Sequence, residues 1–462
     1  MTLRYPSMHE TGALLLLCVF ALQACGGYAS RSDAFRRSLT LGQPTKALDA
    51  VNEALGVNSA ESMPEETDPD TPLLLLERAS ILQALGDYEL SALNFQTADK
   101  SLDVLDLTSD TSGQIAKYLF SDDAVVYKSP PYEKLLINPC NMINYLVSGD
   151  ISGAKVEARR FVINRKFIES QGDERGRSML AFGSYLAGVA FERAGDASAA
   201  MRHYADAYTA GSLPTLANAI RSLNRRTGAR DPRVNTLLPS PEAAETIDND
   251  ESEGVILVVV QAGMAPFKVA KRLPIGAAVV AASAPGPGAR LSPAQRNRAN
   301  RFAAKGLLKF INYPKLQKAP YAPPYVSVDV DGQQIPGGVA MDVESHALAA
   351  FEEIQGSLIA ASLTRMLTRA VAGELGEALG RKGSGNSVAG LLIGMLVEGS
   401  MAAADTPDTR SWVTLPARFY VARVRMPAGR HRVSVRYRGL SRTRFVTVEP
   451  GNMHILNYSD IR

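Results

Sequence analysis

The residue types that could do chemistry in this chain are few, and their spacing serves no standard mechanism. Apart from His9 near the start, the histidines are His203, His346, His431 and His454, and none pairs with another at the interval of H-E-x-x-H. No serine sits in G-x-S-x-G, and the glycine-rich stretch 380–385 lacks the G-K-[ST] ending that cradles a phosphate. Gly286-Pro287-Gly288 matches half of a dinucleotide fingerprint without its third glycine or a following helix. Paired carboxylates of the glycosidase kind need no local motif and stay open. The expectation is a protein without catalytic residues, metal or cofactor.

Two short charged clusters remain as candidate contact sites. Glu157, Arg159 and Arg160 are either a binding patch or the solvated face of a helix whose other face carries Val156 and Phe161. Asp408 and Arg410 stand close before Trp412, the chain's only tryptophan. They form either a ligand site or a structural corner, with Asp408 pairing Arg410 or capping a turn while Trp412 fills the sheet core.

The three cysteines divide by position. Arg4 precedes ten apolar residues, 13–22, too few to span a bilayer but suited to the core of a secretory signal. The run ends in Leu22-Gln23-Ala24-Cys25, which resembles the lipobox of bacterial lipoproteins. That resemblance implies cleavage before Cys25 and lipidation of that cysteine by several chains such as palmitate, because one chain anchors only reversibly. Gly26 and Gly27 follow where an aspartate would mark inner-membrane retention, so the expected location is the periplasmic face of the outer membrane. Cys18 leaves with the signal and Cys140 stands alone, so no intramolecular disulfide is available and packing must supply the stability. Cys140 follows Pro139 at an expected helix start and reads as a buried small hydrophobe rather than a reactive thiol.

Charge is distributed asymmetrically. Residues 26–253 hold 33 acids and 23 bases, and residues 254–462 hold 13 acids and 26 bases. No acid occurs between Val255 and Ser327, and residues 410–444 contain ten arginines. Phosphorylated lipid head groups, anionic wall polymer or an acidic protein surface would suit that half, and nucleic acid suits an exported chain least. A solvated basic strand face is the alternative.

The N-terminal half is self-similar. Gly42, Gly86, Gly149 and Gly195 lie 44, 63 and 46 residues apart. Five residues after each stand Ala47, Ser91, Ala154 and Ala200; nine after, Val51, Phe95, Ala158 and Tyr204; twelve after, Ala54, Ala98, Phe161 and Ala207. Small residues at a close helix crossing, with larger ones a turn later, describe the second helix of a hairpin entered through a glycine turn. This resembles the tetratricopeptide repeat, with a longer period than the family's and an insertion at residues 101–131. Stacked hairpins form a core and a concave groove able to take a peptide, or only a structural core.

Residues 239–253 are proline-rich, then acidic, and read as a linker. Beyond it the run 255–260 has strand length and composition. Alternation over 326–330 and 432–448, punctuated by Asp331-Gly332 and Gly439, points to antiparallel strands. Between them residues 343–404 read as a hydrophobic helical hairpin whose second arm is 388–403. Burial against the sheet, self-association through Gly376, Gly380, Gly390 and Gly394, or membrane contact would each suit it.

Tyr132-Glu133, Asn144-Tyr145-Leu146, Gly149-Asp150, residues 157–160, residues 408–412 and Leu415-Pro416-Ala417 together resemble an uncharacterised family of bacterial lipoproteins with tetratricopeptide-like repeats. The resemblance implies architecture and location and carries no activity. The expected organisation is a signal peptide (1–24), a lipidated tether (25–32), a helical repeat domain (33–238), an acidic linker (239–253) and a basic α/β domain (254–462), an α+β fold. The expected function is a non-enzymatic protein–protein interaction scaffold, lipid-anchored in the outer membrane, with an envelope protein as partner. A regulator of an envelope enzyme such as a peptidoglycan synthase, or a homo-oligomeric secretion or pore assembly, is the alternative.

Overall fold

The computed structural model describes residues 28–106, 127, 129–170, 177–240, 252–284, 290–306, 308–322, 324–380 and 407–462. The signal peptide, Cys25, most of the 101–131 insertion, the acidic stretch 241–251 and the 388–403 segment lie outside them.

Eight helices form four hairpins: α1 (Tyr28–Thr40) with α2 (Pro44–Ala54), α3 (Thr71–Leu85) with α4 (Tyr88–Asp106), α5 (Pro131–Ser148) with α6 (Ile151–Ser170), and α7 (Arg177–Arg193) with α8 (Ala197–Ala210). Each turn uses the expected glycine at positive φ: 71° at Gly42, 92° at Gly86, 83° at Gly149 and 76° at Gly195. Eleven of the twelve aligned positions are fully buried, Ala54 being partly exposed. A ninth helix, α9 (Leu216–Thr227), and a 3-10 turn (Pro232–Leu237) close the array. Within it Arg78 is wholly buried and donates to Asn94 at 2.7 Å, Asn52 at 3.2 Å and the Ser62 carbonyl at 2.9 Å, tying α3 to its partner α4 and to α2 of the preceding hairpin. Pro139 lies inside α5, so Cys140 is mid-helix rather than at a helix start; its thiol is buried and held protonated by desolvation.

The chain then enters β1 (Glu253–Met264), which is buried on both faces. This explains an apolar run without alternation. β1 pairs antiparallel with β7 (Pro416–Pro427) and parallel with β10 (Met453–Asp460), and β6 (Gly337–Asp342) completes the order β10-β1-β7-β6. The sheet is therefore mixed rather than purely antiparallel: the last strand returns to the edge of β1 after an intervening hairpin (429–448) and runs in its direction. A second, antiparallel sheet has the order β5-β4-β8-β9, formed by Gln333–Gln334, Ser327–Val330, Gly429–Tyr437 and Leu440–Val448.

Alternation assigns the layers. Ile256, Val258 and Val260 meet Val328, Val330, Val433 and Val435 in the core between the two sheets. Val255, Leu257 and Val259 point the other way and share one core with the helical hairpins. The order is thus helices, mixed sheet, antiparallel sheet, and the halves on either side of the acidic stretch pack on each other.

A smaller lobe stands beside these layers. It comprises the ribbon β2 (Phe267–Pro274) and β3 (Phe310–Gln317), α10 (Ile275–Ala281), α11 (Pro293–Ala304) and α12 (Val343–Gly380). Ile275, Ala278, Phe302, Ile311, Leu363 and Met366 form its own core. α12 is the first arm of the expected helical hairpin, and no helix among the described residues is long and apolar enough to cross a membrane.

Close packing of the hairpins gives a paired prediction. A Cβ at Gly188 would stand 2.4 Å from the buried Tyr204 ring, whereas one at Gly276 meets nothing within 4 Å. Gly188→Ala should destabilise by about 1–3 kcal/mol, and Gly276→Ala should be neutral or stabilise by up to about 1 kcal/mol. Urea unfolding midpoints check both; a neutral Gly188→Ala would contradict the α7–α8 packing.

Candidate functional site

The helical hairpins present the polar stripe Asp70, Glu77, Ser80 and Gln83 on α3, seven, three and three residues apart. That spacing keeps all four on one helix face. Its Asp70, Glu77 and Ser80 are met by the chain's own residues 408–414, which carry the Asp408-Arg410-Trp412 cluster, and Gln83 is met by β1.

Arg410 is wholly buried. Its Nε and Nη2 donate to the two Asp408 oxygens at 3.0 Å each, and Nη1 reaches Asp70 at 3.2 Å, where Arg31 of α1 also binds. Burial opposes the charge on Arg410, but Asp408 and Asp70 outweigh it and hold the guanidinium more firmly protonated than usual. The ring of Trp412 packs edge-on against Phe95 with centroids 5.8 Å apart, and its Nε1 donates to Ser80 Oγ at 3.0 Å.

The backbone is gripped as firmly as the side chains. The N–H groups of Val413 and Thr414 donate to Glu77 at 2.8 and 2.9 Å, and that of Trp412 donates to Glu133 of α5 at 3.3 Å. The Tyr28 hydroxyl, on the first turn of α1, lies 2.6 Å from Glu77 Oε1 and 2.8 Å from the Ser411 carbonyl. Tyr127 donates to the other Glu133 oxygen. Burial pushes the carboxyls of Glu77 and Glu133 up to about 7 each, against the hydrogen bonds that favour their charge.

Two further polar contacts join helices to sheet. Gln261 on β1 donates to Gln83 at 2.7 Å and to Asn457 on β10 at 3.1 Å, and Gln83 donates to Asn144 at 2.6 Å. Arg423 on β7 donates to both Glu192 oxygens at 2.8 and 3.0 Å. Burial alone would raise the Glu192 carboxyl, and Arg423 with Arg226 holds it below the usual range.

The other cluster is split by its helix. Glu157 is buried, accepting from Asn138 at 2.8 Å and Asn141 at 3.2 Å, while Val156 is 47% exposed. The expected phase, with Val156 inward and the charges solvated, is therefore wrong by one position. Phe161 is buried as expected. Arg160 bridges Asp99 at 3.2 Å, and Arg159 alone is fully at the surface. These residues make no common patch.

Charge gathers instead on the outer face of the second sheet. Arg430, Arg432 and Arg436 alternate with the inward His431, Val433 and Val435. On the adjacent strand Thr447 and Phe445 stand opposite Arg430 and Arg432, and the Arg430 guanidinium lies 4.5 Å over the Phe445 ring, which is 60% exposed. His431 is held by Asp331 at 2.6 Å, His203 stacks on Phe191 at 5.0 Å, and His346 meets Tyr132 edge-on. Among the described residues no group of histidine, cysteine and carboxylate side chains is placed to hold a metal ion.

Compared with family models, curated proteins and solved structures, the chain matches none.

The buried glutamates set a pH dependence. Their folded carboxyls stay protonated to about pH 7, while in the unfolded chain they ionise near 4.5. The folded state then binds more protons between those values, so stability falls as pH rises through that window. Each carboxyl contributes up to about 3 kcal/mol to the fall. Glu133→Gln, which keeps an acceptor for Trp412 and gains a donor toward Tyr127, should roughly halve the slope of the profile between pH 5 and 7 and leave the Glu77 share; an unchanged slope would contradict the assignment.

Proposed function

We propose that the chain is a lipid-anchored, non-enzymatic docking protein of the bacterial cell envelope. It is held at Cys25 on the periplasmic face of the outer membrane and recognises an envelope protein through the arginine and Phe445 face of its second sheet. The four hairpins are degenerate tetratricopeptide-like units, as in the lipoprotein family that the sequence resembles, and they serve as a platform for the sandwich.

The observation carrying this reading is the filling of the helical groove by residues 408–414. A groove whose carboxylates already accept the chain's own N–H groups offers no free seat for a client peptide. Contact with a partner then falls to an outer surface. The face farthest from the helices bears exposed arginines beside an exposed aromatic ring, the residue types enriched in interface hot spots. A regulator that touches an acidic surface of an envelope enzyme is the form of docking favoured by that charge.

Two measurements test the reading. Metabolic labelling with an alkyne palmitate should mark the wild type and not Cys25→Ala; label on Cys25→Ala, or none on the wild type, would remove the anchor. A photocrosslinking residue at Thr447, exposed on β9, should capture one envelope protein in intact cells. Arg432→Glu should reduce that yield at least about tenfold. Adducts only with a second copy, or a yield indifferent to Arg432→Glu, would overturn docking through this face.

A further inference from the structure

The acid-free part of the sequence, 255–327, folds mainly into the small lobe. Lys271 and Arg272 on β2, Lys315 on β3, Arg298 and Arg301 on α11 and Lys305 just past its end are all exposed. None of the six makes an ion pair among the described residues. Lys318, just past the end of β3, is bound to Glu344 of α12 at 3.0 Å. The other acids on the packed part of α12 are Glu352 and Glu353. They leave the lobe strongly positive.

The α11 cations share a stripe. Ala299 and Phe302 turn inward, and Arg298, Arg301 and Lys305, three and four residues apart, follow one another along the outward side. Apolar groups stand exposed in the same lobe. Val280 is 73% and Phe310 49% exposed, and a shallow depression of about 550 Å³ opens between α10 and α11. Cations and unsheltered apolar side chains on one lobe are what a lipid interface takes from a protein: the charges meet phosphates and the apolar groups enter the acyl boundary.

The lobe's root lies beside the proposed anchor. The Lys268 N–H donates to Ser411 Oγ at 3.1 Å, and the carbonyl of that serine is 2.8 Å from the Tyr28 hydroxyl. The Arg36 guanidinium lies 4.0 Å over the Phe267 ring, fastening the first residue of β2 to α1. Tyr28 is three residues from Cys25, so a lipid there is tethered within about 11 Å of the body.

We propose that this lobe rests on the anionic phospholipid head groups of the membrane that holds Cys25, as a second, electrostatic attachment. The geometry rests on the anchored reading above, but the attachment itself is measurable without lipid on the protein. The chain from Gly26, which contains every described residue, is sedimented with phosphatidylcholine vesicles and with vesicles that also contain phosphatidylglycerol. Binding should require phosphatidylglycerol, weaken steeply with salt and resist competition by soluble glycerol phosphate.

Arg298→Glu/Arg301→Glu/Lys305→Glu should lower vesicle affinity roughly a hundredfold while leaving the thermal unfolding midpoint in place. Lys271→Glu/Arg272→Glu, on the other element, is the second variant should the triple one misfold. Equal binding to neutral vesicles, no binding to anionic ones, or binding indifferent to both variants would overturn the attachment. Loss of palmitate labelling with vesicle binding intact would remove the anchor and leave the lobe's affinity standing.

Discussion

A carboxylate placed inside a layer of helices has to be met by donors, or the helix that carries it cannot be buried. Glu77 sits in the middle of α3, a helix enclosed on all sides from Thr71 to Gln83. Its donors come from residue 28 at one end of the described chain and from residues 413 and 414 near the other. Asp70, two turns earlier at the N-terminal cap of α3, makes the same demand and receives Arg410 and Arg31. The requirement ties the start of the helical array to the entry of β7, and it fixes which face of the mixed sheet turns toward the helices. Removing Arg410 would take from Asp408 its two-pronged guanidinium partner and leave Asp70 with Arg31, a loss of about 3–5 kcal/mol.

This seat changes what the helical hairpins do. Stacked hairpins with an open face can present it to a client; here that face packs on a sheet and takes in a loop of the same chain. The arrangement resembles recognition of a peptide, with backbone N–H groups bound by side-chain acceptors and one aromatic residue packed among helices, but the peptide is intramolecular. The proposed docking and membrane surfaces therefore lie outside the groove, one on the far sheet and one on the lateral lobe.

Local patterns made much of the fold legible. Glycine turns with small residues at fixed distances marked the hairpins, and alternation marked β4, β8 and β9, because each reflects contacts within one supersecondary unit. Asp408 pairing with Arg410 was readable for the same reason, the two being neighbours in sequence. What joins the halves was not readable. Gln83 meets Gln261, and Glu192 meets Arg423, across long stretches of chain that no periodicity connects. A signal was nonetheless present: Glu77, Ser80 and Gln83 share one stripe of a leucine-rich helix, a polar line that burial on all sides would make intolerable without partners. The phase of α6 misled because Val156 is the more apolar residue and Glu157 the better hydrogen-bonded one. Asn138 and Asn141, which decide the matter, stand on another helix. The parallel pairing of β10 with β1 was likewise invisible to a pattern that records facing, not direction.

Amide hydrogen exchange at Trp412, Val413 and Thr414 tests the occupied groove most directly. If these N–H groups are bound to Glu133 and Glu77 in a segment that opens only with the whole molecule, they should exchange as slowly as the central amides of β1. Exchange at those three positions orders of magnitude faster than in β1 would mean that the segment leaves the groove in the native protein, and that the groove is free to receive a client.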